Sequence, residues 1–388
     1  MSEWKKVKLG EISQTIQTGP FGSQLHQSDY SIIGIPVVMP KDIIAGNIEE
    51  ASIARVEQHH IDRLSRHMIS YGDILYARRG DVGKCAFTKQ NQEGWLCGTG
   101  CLRVTINPDM ANPKFVFFQL QKQETLGWIT NHAIGSTMLN LNTTILSNAP
   151  VEIPSLRIQN RIVEILSRYD SLLENYQNQI KLLEEAAQRL YKEWFVDLRF
   201  PGHENTKIVD GVPEGWERKK VGELIAKVPR TKQIPTKDYQ KEGAIPIIDQ
   251  SRDYIAGYTD DMESKVELNE PYIVFGDHTR ILKYVPFPFA KGADGTQLIM
   301  SNNLDLMPQC LLFTSLVNVD LSNYSYARHF KYLKEEIISV PTASTANVFS
   351  KHVGKWYAKI QQNRYQLRLL TEARDRLLPK LMSGEITV

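Results

Sequence analysis

The sequence has few of the features that mark secreted, membrane-spanning or disulfide-linked proteins. Its 388 residues include four cysteines, which give no disulfide framework in a chain of this length. No apolar run reaches the roughly 18 residues needed to cross a bilayer. The basic first residues are not followed by the apolar stretch of a secretion signal. We therefore expect a cytoplasmic protein that does not associate with a membrane.

The motifs of common catalytic sites are also missing. The sequence contains neither the G-x-x-x-x-G-K-[ST] phosphate-binding loop nor a G-x-G-x-x-G fingerprint after a strand. It has no G-x-S-x-G nucleophile elbow and no N/D-P-P-F/Y tetrapeptide, the signature of amino-methyltransferases. Cys85, Cys97 and Cys101 are spaced too loosely to favour a zinc site. The sequence therefore predicts that this chain has no catalytic site, metal or cofactor of its own.

The net charge is small, with 46 basic and 44 acidic residues. A protein that binds nucleic acid strongly by itself is usually more basic. Three interpretations remain open. The chain does not bind nucleic acid, its basic groups are concentrated locally, or a partner supplies part of the positive charge.

The chain consists of two similar halves. A tryptophan, basic residues and a Gly-Glu pair occur in the same order at residues 4–12 and 215–225. Each half continues with short β-like runs and a glycine-containing cationic turn, at residues 72–80 and 272–280. Such internal similarity predicts two related globular heads of mixed α and β structure.

A long amphipathic helix is predicted after each head. Apolar and aromatic residues recur at alternating spacings of four and three, which is typical of a helix packed along a partner helix. The second series follows the first at a distance of 187 residues. We expect the two seams to bury each other in an antiparallel pair. The predicted seam consists of Ile162, Leu166, Tyr169, Leu173, Tyr176, Ile180, Leu183, Ala187, Leu190, Trp194, Phe349, Val353, Trp356, Ile360, Leu367, Leu370, Leu377 and Leu381.

Three residues raise specific questions about the second helix. Asn363 and Arg374 interrupt its seam. Either they lie at fraying or solvated positions, or a buried asparagine fixes the register of the helices. Pro379 predicts a kink or termination near the end of this helix. In the first head, we predict one helix over residues 113–127.

Polar and cationic residues in turns are the candidate DNA contacts. Glycine lets a backbone approach a phosphate closely, and arginine can read guanine O6 and N7 in the major groove. Each residue taken singly could equally be a solvated surface residue. In the first head the candidates are Gly19, Gly22, Ser23, Gln24, Arg78, Arg79, Lys84, Ser136 and Thr137. In the second head they are Arg230, Lys232, Gln250, Arg252, His278, Thr279, Arg280, Lys291 and Arg328.

Several segments resemble the specificity (S) subunit of type I restriction–modification systems. Residues 150–159, with two prolines and a Pro-Ser-Leu-x-x-Gln pattern, lead into the first helix as in that family. Residues 180–202 are similar to the family's central conserved helix, and residues 377–386 to its distal one. The resemblance covers essentially the whole chain, although residues 340–348, before the second helix, lack the Pro-Ser-Leu-x-x-Gln pattern.

The resemblance implies both an architecture and a function. The implied fold class is α+β, with two mixed α/β target recognition domains in a pseudo-two-fold arrangement, joined by a long antiparallel two-helix coiled coil. Each domain would read one half of a bipartite, non-palindromic DNA site, and the helices would set the spacing. The segments are residues 1–152 and 203–340 for the recognition domains and 153–202 and 341–388 for the spacer helices.

The resemblance also implies partners. They are double-stranded DNA and two modification (M) subunits, which bind S-adenosylmethionine and methylate adenine N6; restriction (R) subunits add ATP- and Mg-dependent translocation and cleavage. This chain would be non-catalytic and would bind no cofactor itself. Two other classes stay open: a coiled-coil adaptor with two protein-binding heads, and a stand-alone nuclease or methyltransferase.

Overall fold

The computed structural model describes residues 4–135, 139–292, 294–324 and 328–388. The chain forms two compact units. The first contains Met1–Leu172 together with Leu370–Val388, and the second contains Leu173–Leu369. Each unit combines sheets with helices, which confirms the predicted α+β class. Within the described ranges, no helix is both long enough and apolar enough to span a membrane.

The first unit is built mainly from short strands. Its strands are β1 (Lys5–Lys8), β2 (Ser13–Thr18), β3 (Tyr30–Ser31), β4 (Ile35–Val38), β5 (Ile43–Ile44), β6 (Asn47–Ile48), β7 (Ala54–Val56), β8 (Ile74–Ala77), β9 (Cys85–Phe87), β10 (Leu96–Cys97), β11 (Cys101–Ile106) and β12 (Pro150–Ile153). Its helices are α1 (Gln58–Arg63), α2 (Pro113–Leu120), α3 (Gln123–His132), α4 (Thr143–Ser147) and the first part of α5 (Leu156–Tyr191).

Two four-stranded sheets position the turns of the first unit. One has the antiparallel order β2-β11-β8-β9, and the other has the order β10-β4-β7-β3, in which β10 and β4 are parallel. The β8 strand is buried at all four positions, so it reads as a continuous apolar run. A separate antiparallel pair, β1 with β12, precedes α5. The hairpin β8–β9 therefore projects its turn, residues 78–84, from a rigid sheet.

The second unit repeats this plan. Its strands are β13 (Ile208–Val209), β14 (Val212–Pro213), β15 (Glu217–Lys220), β16 (Ile245–Ile248), β17 (Gly257–Thr259), β18 (Lys265–Val266), β19 (Tyr272–Gly276), β20 (Leu282–Val285), β21 (Phe289–Lys291), β22 (Thr296–Ile299) and β23 (Ile337–Val340). Its helices are the last part of α5, α6 (Val221–Leu224), α7 (Gln309–Val317), α8 (His329–Glu335) and most of α9 (Ala343–Met382), whose end belongs to the first unit.

Equivalent backbone hydrogen bonds show that the two units are built alike. In the first unit, the Arg78 N–H donates to the Gly100 carbonyl at 2.7 Å, and in the second the Asp277 N–H donates to the Gly295 carbonyl at 2.7 Å. The same correspondence holds for Gly98 to Val38 and Gly292 to Ile248, for Leu9 to Ala149 and Val221 to Glu336, and for Asn107 to Ile12 and Asn302 to Leu224. The hairpin β19–β20 is therefore the counterpart of β8–β9.

Helices α5 and α9 run antiparallel to each other inside each unit. In the second unit, Gln179 contacts Asn363 while Tyr191, later in α5, packs against Phe349, earlier in α9. In the first unit, Asp170 lies 3.6 Å from Arg374. Every position of the predicted 4-3 series is buried or half-buried, including both of its polar members. The regular part of α5 ends at Tyr191, and one π-helical turn follows (Lys192–Val196).

The interpretation of Asn363 as a solvated position is wrong. Its side chain is completely buried, and its Nδ2 donates a hydrogen bond to Oε1 of Gln179 at 3.1 Å. Its Oδ1 has no hydrogen-bond partner among the described residues. Arg374 is half-buried and pairs with Asp170 and Asp375. Both polar residues of the seam thus contact polar groups. The alternative, that a buried asparagine fixes the register of the helices, stays a prediction.

Helix α9 continues through Pro379 and ends three residues later, at Met382, so the predicted termination near this proline is confirmed. Another local prediction was wrong. The single helix predicted over residues 113–127 is two helices, α2 and α3. The break falls at Lys122, whose backbone is extended and whose Nζ lies 3.3 Å from Glu124 and 3.4 Å from Glu152.

The buried amide of Asn363 leads to a stability prediction. Replacing Asn363 with leucine should raise the thermal midpoint of unfolding, because a buried polar group without a partner costs about 1–3 kcal/mol. The freed side chain of Gln179 is half-buried and can turn toward water. The measurement is circular dichroism at the helical band. The control is Asn347→Leu, at an exposed position of α9, which should change the midpoint little. A lower midpoint for Asn363→Leu would contradict the prediction.

Candidate nucleic-acid interface

The turn between β8 and β9 presents two arginines at different depths. Arg78 is half-buried, and its guanidinium carbon lies 5.9 Å from the ring centroid of Phe21. Arg79 is exposed and forms an isolated backbone bridge with Asn140. Gly80 follows with a φ of +76°, a conformation that glycine adopts readily and that lets the chain reverse here. One arginine is therefore held in place, while the other is free to reach outward.

Two buried polar atoms at this turn have unused hydrogen-bonding capacity. Nε of Arg78 and Oδ1 of Asn140 are buried and have no partner among the described residues. Such groups are rare in folded proteins and often mark places where a ligand or water completes the hydrogen bonding. Phe21 beside them is 52% exposed, although it is a large aromatic side chain. Phe21 therefore offers an exposed ring, beside a half-buried arginine, that is able to stack on a base.

The loop at residues 19–24 buries one of the predicted contacts, Gly19, and exposes two others, Gly22 and Ser23. Gly19 is buried, and its N–H donates to the Cys101 carbonyl at 2.9 Å, so it is not available to a phosphate. A Cβ atom at Gly19 would lie 2.0 Å from the carbonyl oxygen of Gly98, so this glycine serves close packing of the backbone. Gly22 and Ser23 are exposed, and Oε1 of Gln24 accepts a hydrogen bond from the Phe21 N–H at 3.1 Å. Gln24 therefore holds Phe21 in position.

The structure gives less support to the remaining predicted DNA contacts of the first head. Lys84 lies on the same turn, but its Nζ is 3.4 Å from a carboxylate oxygen of Asp81, which offsets part of its charge. Ser136 and Thr137 lie outside the described residues.

The turn between β19 and β20 is the second site. His278, Thr279 and Arg280 are exposed there. Gln250 holds this turn from the side: its Oε1 accepts from the His278 N–H at 3.2 Å, and its carbonyl accepts from Thr279 Oγ1 at 2.7 Å. Arg280 has a φ of +62°, unusual for a residue with a side chain, and donates from Nη1 to the Leu321 carbonyl at 3.0 Å. The structure thus brings four of the predicted contacts of the second head together in one cluster: Gln250, His278, Thr279 and Arg280.

The other cations of the second head are less uniform. Lys232 is paired with Asp261 at 2.8 Å and with Glu263 at 3.1 Å, so its charge is largely neutralised. These hydrogen bonds raise the pKa of Lys232. Lys291 is half-buried, and burial lowers its pKa, which makes it a poor surface contact. Arg230, Arg252 and Arg328 are exposed, the last of them at the start of α8.

Phe21 lies between the predicted contacts Gly19 and Gly22, and the structure places it beside Arg78. The sequence indicated an exposed turn there, but it could not show that the facing cation comes from the turn after β8, far along the chain. Asn142, near this site, accepts a hydrogen bond on its side chain from the Ile145 N–H at 2.8 Å and caps α4.

The four cysteines lie in the interior and do not form a metal site. Cys85, Cys97, Cys101 and Cys310 are all buried as free thiols. Across the described part of the chain, no group of three or more His, Cys, Asp or Glu side chains could hold a metal ion. Burial raises the pKa of Cys85 and of Cys97 to about 12, and it also raises the pKa of Cys101 and Cys310.

The sequence is similar to that of known DNA specificity proteins. Residues 1–185 match the family model of the type I restriction modification DNA specificity domain. The chain is 28% identical, over an alignment of 419 positions, to the type I restriction enzyme MjaIX specificity subunit of Methanocaldococcus jannaschii, covering 100% of this chain and 94% of that protein. It is 24% identical to the HindI specificity subunit of Haemophilus influenzae over 201 residues, 51% of this chain and 42% of the relative.

A solved structure has the same fold. The crystal structure of the type I restriction-modification system S subunit from M. genitalium matches with a TM-score of 0.65 and 17% identity, covering 98% of this chain and 96% of that one. The resemblance noted in the sequence is therefore confirmed. Over its whole length, the chain is similar to a specificity subunit of a type I restriction enzyme, and its first half matches the model of the DNA specificity domain.

The burial of the cysteines predicts their reactivity. The native chain at pH 8 should react slowly with a thiol reagent such as Ellman's, because only the exposed thiolate attacks and these thiols are buried and protonated. The same chain in guanidinium chloride should release the colour of four thiols at once. Fast reaction of two or more thiols in the native chain, measured by absorbance, would contradict their burial.

Proposed function

We propose that this chain is the non-catalytic DNA-reading subunit of a type I restriction–modification complex. Each head reads one half of a bipartite, non-palindromic site. The turn with Arg78 and Arg79 is the reading element of the first head, and the turn with His278, Thr279 and Arg280 is that of the second. Helices α5 and α9 set the spacing between the half-sites and dock the modification subunits.

One observation carries this proposal. The hairpin turns lie at equivalent places in two units of the same construction, yet their side chains differ. By the shared backbone hydrogen bonds, Arg78 and Arg79 correspond to Asp277 and His278. A protein that recognises two different sequences with one scaffold needs this combination of constant backbone and variable side chains. Different side chains at the two turns favour a non-palindromic site.

The chemistry of the complex is assigned to partner proteins. Two modification subunits would bind S-adenosylmethionine and methylate adenine N6, and restriction subunits would use ATP and Mg. The proposed segments are residues 1–152 and 203–340 for the recognition domains and 153–202 and 341–388 for the spacer helices. We place the complex in the cytoplasm, where its DNA substrate lies.

The different depths of the two arginines lead to a prediction about salt dependence. Arg79→Gln should weaken DNA binding by the assembled complex about equally for all sequences, because an exposed arginine at a turn suits a phosphate. The slope of log affinity against log salt should become shallower by about 1. Lys232→Gln is the matched control, because two carboxylates already neutralise that lysine. Equal slopes for wild type and Arg79→Gln would favour the adaptor with protein-binding heads.

The decisive assay is methylation by the reconstituted complex. The chain should co-purify with modification subunits, and the complex with S-adenosylmethionine should methylate adenines at a site made of two unlike half-sites. Sequencing of modified adenines identifies the site. Omission of this chain should abolish sequence-specific methylation. A complex that binds and methylates DNA without any sequence preference would overturn the proposal.

A further inference from the structure

The loop between β16 and β17, residues 249–256, contacts two functionally different parts of the second unit. One end of the loop holds the turn that we propose to read DNA. The other end packs on helices α5 and α9. Sequence reasoning singled out Gln250 and Arg252 as surface contacts and gave no role to the residues that tie this loop to the helices.

Tyr254 is the point where the loop meets the helices. The guanidinium carbon of Arg364, on α9, lies 4.0 Å from the ring centroid of Tyr254, which is a close cation–π contact. Nη2 of Arg364 donates to Oε1 of Glu184, on α5, at 2.8 Å. The hydroxyl of Tyr254 lies 3.1 Å from Oε1 of Gln361, also on α9. One arginine therefore joins both helices to the loop.

A buried lysine holds the middle of the loop. Lys283, on β20, is only 4% exposed, and its Nζ donates to the Asp253 carbonyl at 2.5 Å and lies 3.7 Å from Oδ1 of Asp249. The same carboxylate oxygen of Asp249 accepts from the N–H and the hydroxyl of Ser251, at 2.9 and 2.6 Å. These contacts tie Asp249 and Asp253 of the loop to β20.

Gln250 transmits that conformation to the reading turn. It follows Asp249 directly, and it accepts hydrogen bonds from His278 and Thr279 while its Nε2 donates to the Asp294 carbonyl at 2.9 Å. The backbone of the turn is close enough that a Cβ on Gly276 would lie 2.8 Å from the Cβ of Gln250. A shift of the loop would therefore displace the turn.

We infer that Arg364 and Glu184 are positioning residues for the DNA-reading turn of the second head. They touch neither the turn nor, in our proposal, the DNA. They act through Tyr254, the loop 249–256 and Gln250. This inference rests on the proposed function only because that proposal assigns DNA reading to the turn. The coupling between Arg364 and the turn rests on the contacts alone.

The first head is joined to its helix segments by a different set of charges. Lys114, on α2, pairs with Asp170 of α5 at 2.9 Å, and Asp170 lies 3.6 Å from Arg374 of α9. Loss of Arg364 should therefore affect the second head selectively. That selectivity separates a positioning role from general destabilisation of the chain.

The coupling is tested first by hydrogen exchange on the full chain without DNA. Arg364→Met should speed amide exchange in peptides covering residues 249–256 and 276–282. Glu184→Gln, a milder change, should act in the same direction, and Arg364→Lys, which keeps the charge beside Glu184, should give an intermediate effect. The control is Lys359→Met, an exposed position of α9 whose Nζ contacts Gln362. Faster exchange confined to the helices, with both peptides unchanged, would overturn the inference.

The consequence for recognition is tested in the reconstituted complex, once the wild type has defined the two half-sites. Discrimination is the ratio of methylation rates on cognate duplexes and on duplexes with one changed base pair. Arg364→Met should lower discrimination in the second half-site by about two- to thirtyfold. This fold-change corresponds to the free energies by which such coupled residues modulate coupling between sites. Discrimination in the first half-site should stay unchanged.

The possible outcomes distinguish a failure of the proposed function from a failure of the positioning role of Arg364. Wild-type complex without sequence-specific methylation would overturn the proposed function, whereas the exchange result would still decide the coupling. Unchanged discrimination at the second half-site, or equal losses at both half-sites, would overturn the positioning role of Arg364. A selective loss at the second half-site, with Lys359→Met behaving as wild type, is the expected result.

Discussion

Burial of the apolar seams of α5 and α9 is the constraint on which the rest of the structure depends. In the first unit, Ile162 and Leu166 of α5 and Leu381 of α9 belong to the same core as the residues of the sheets. In the second, Ala187, Phe349 and residues around them do the same. Neither head therefore has a complete core without residues of both α5 and α9. Removal of the helices would expose apolar surface of each core to water, and the hydrophobic effect scales with that area. The helices are therefore part of each head.

The same scaffold supports two unlike surfaces. Backbone hydrogen bonds hold the hairpins β8–β9 and β19–β20 in equivalent places, while the side chains on their turns differ in charge and size. The buried strands fix where a turn lies, and the exposed residues of the turn are free to change without disturbing the core. This separation of roles explains how one fold can serve two recognition tasks.

The sequence predicted what depends on spacing and missed what depends on distant partners. The 4-3 periodicity identified the long helices and the residues of their buried side, and the repeat identified two similar heads with cationic turns. Spacing could not show that Asn363 meets Gln179, that acids some thirty residues away neutralise Lys232, or that Gly19 packs on Gly98. The sequence also did not predict the contacts of Arg364 with Tyr254 and Glu184. These three residues lie far apart in the chain, and none of them belongs to a recognisable local motif. Each of these errors concerns a contact formed only by the tertiary fold.

The division of the chain also dictates an order of events during synthesis. Trp4 packs so closely on Gly384 that a Cβ there would lie 2.7 Å from the indole nitrogen, and Gln119 donates to the carbonyl of Met382 at 3.2 Å. Trp4 and Gln119 thus meet partners that are synthesised at least 263 residues later, after the whole of the second unit. The inner unit, Leu173–Leu369, has all of its residues earlier and can close first. The outer unit has to wait with an unfinished core, which makes it the part of the nascent chain most exposed to misfolding and to chaperones.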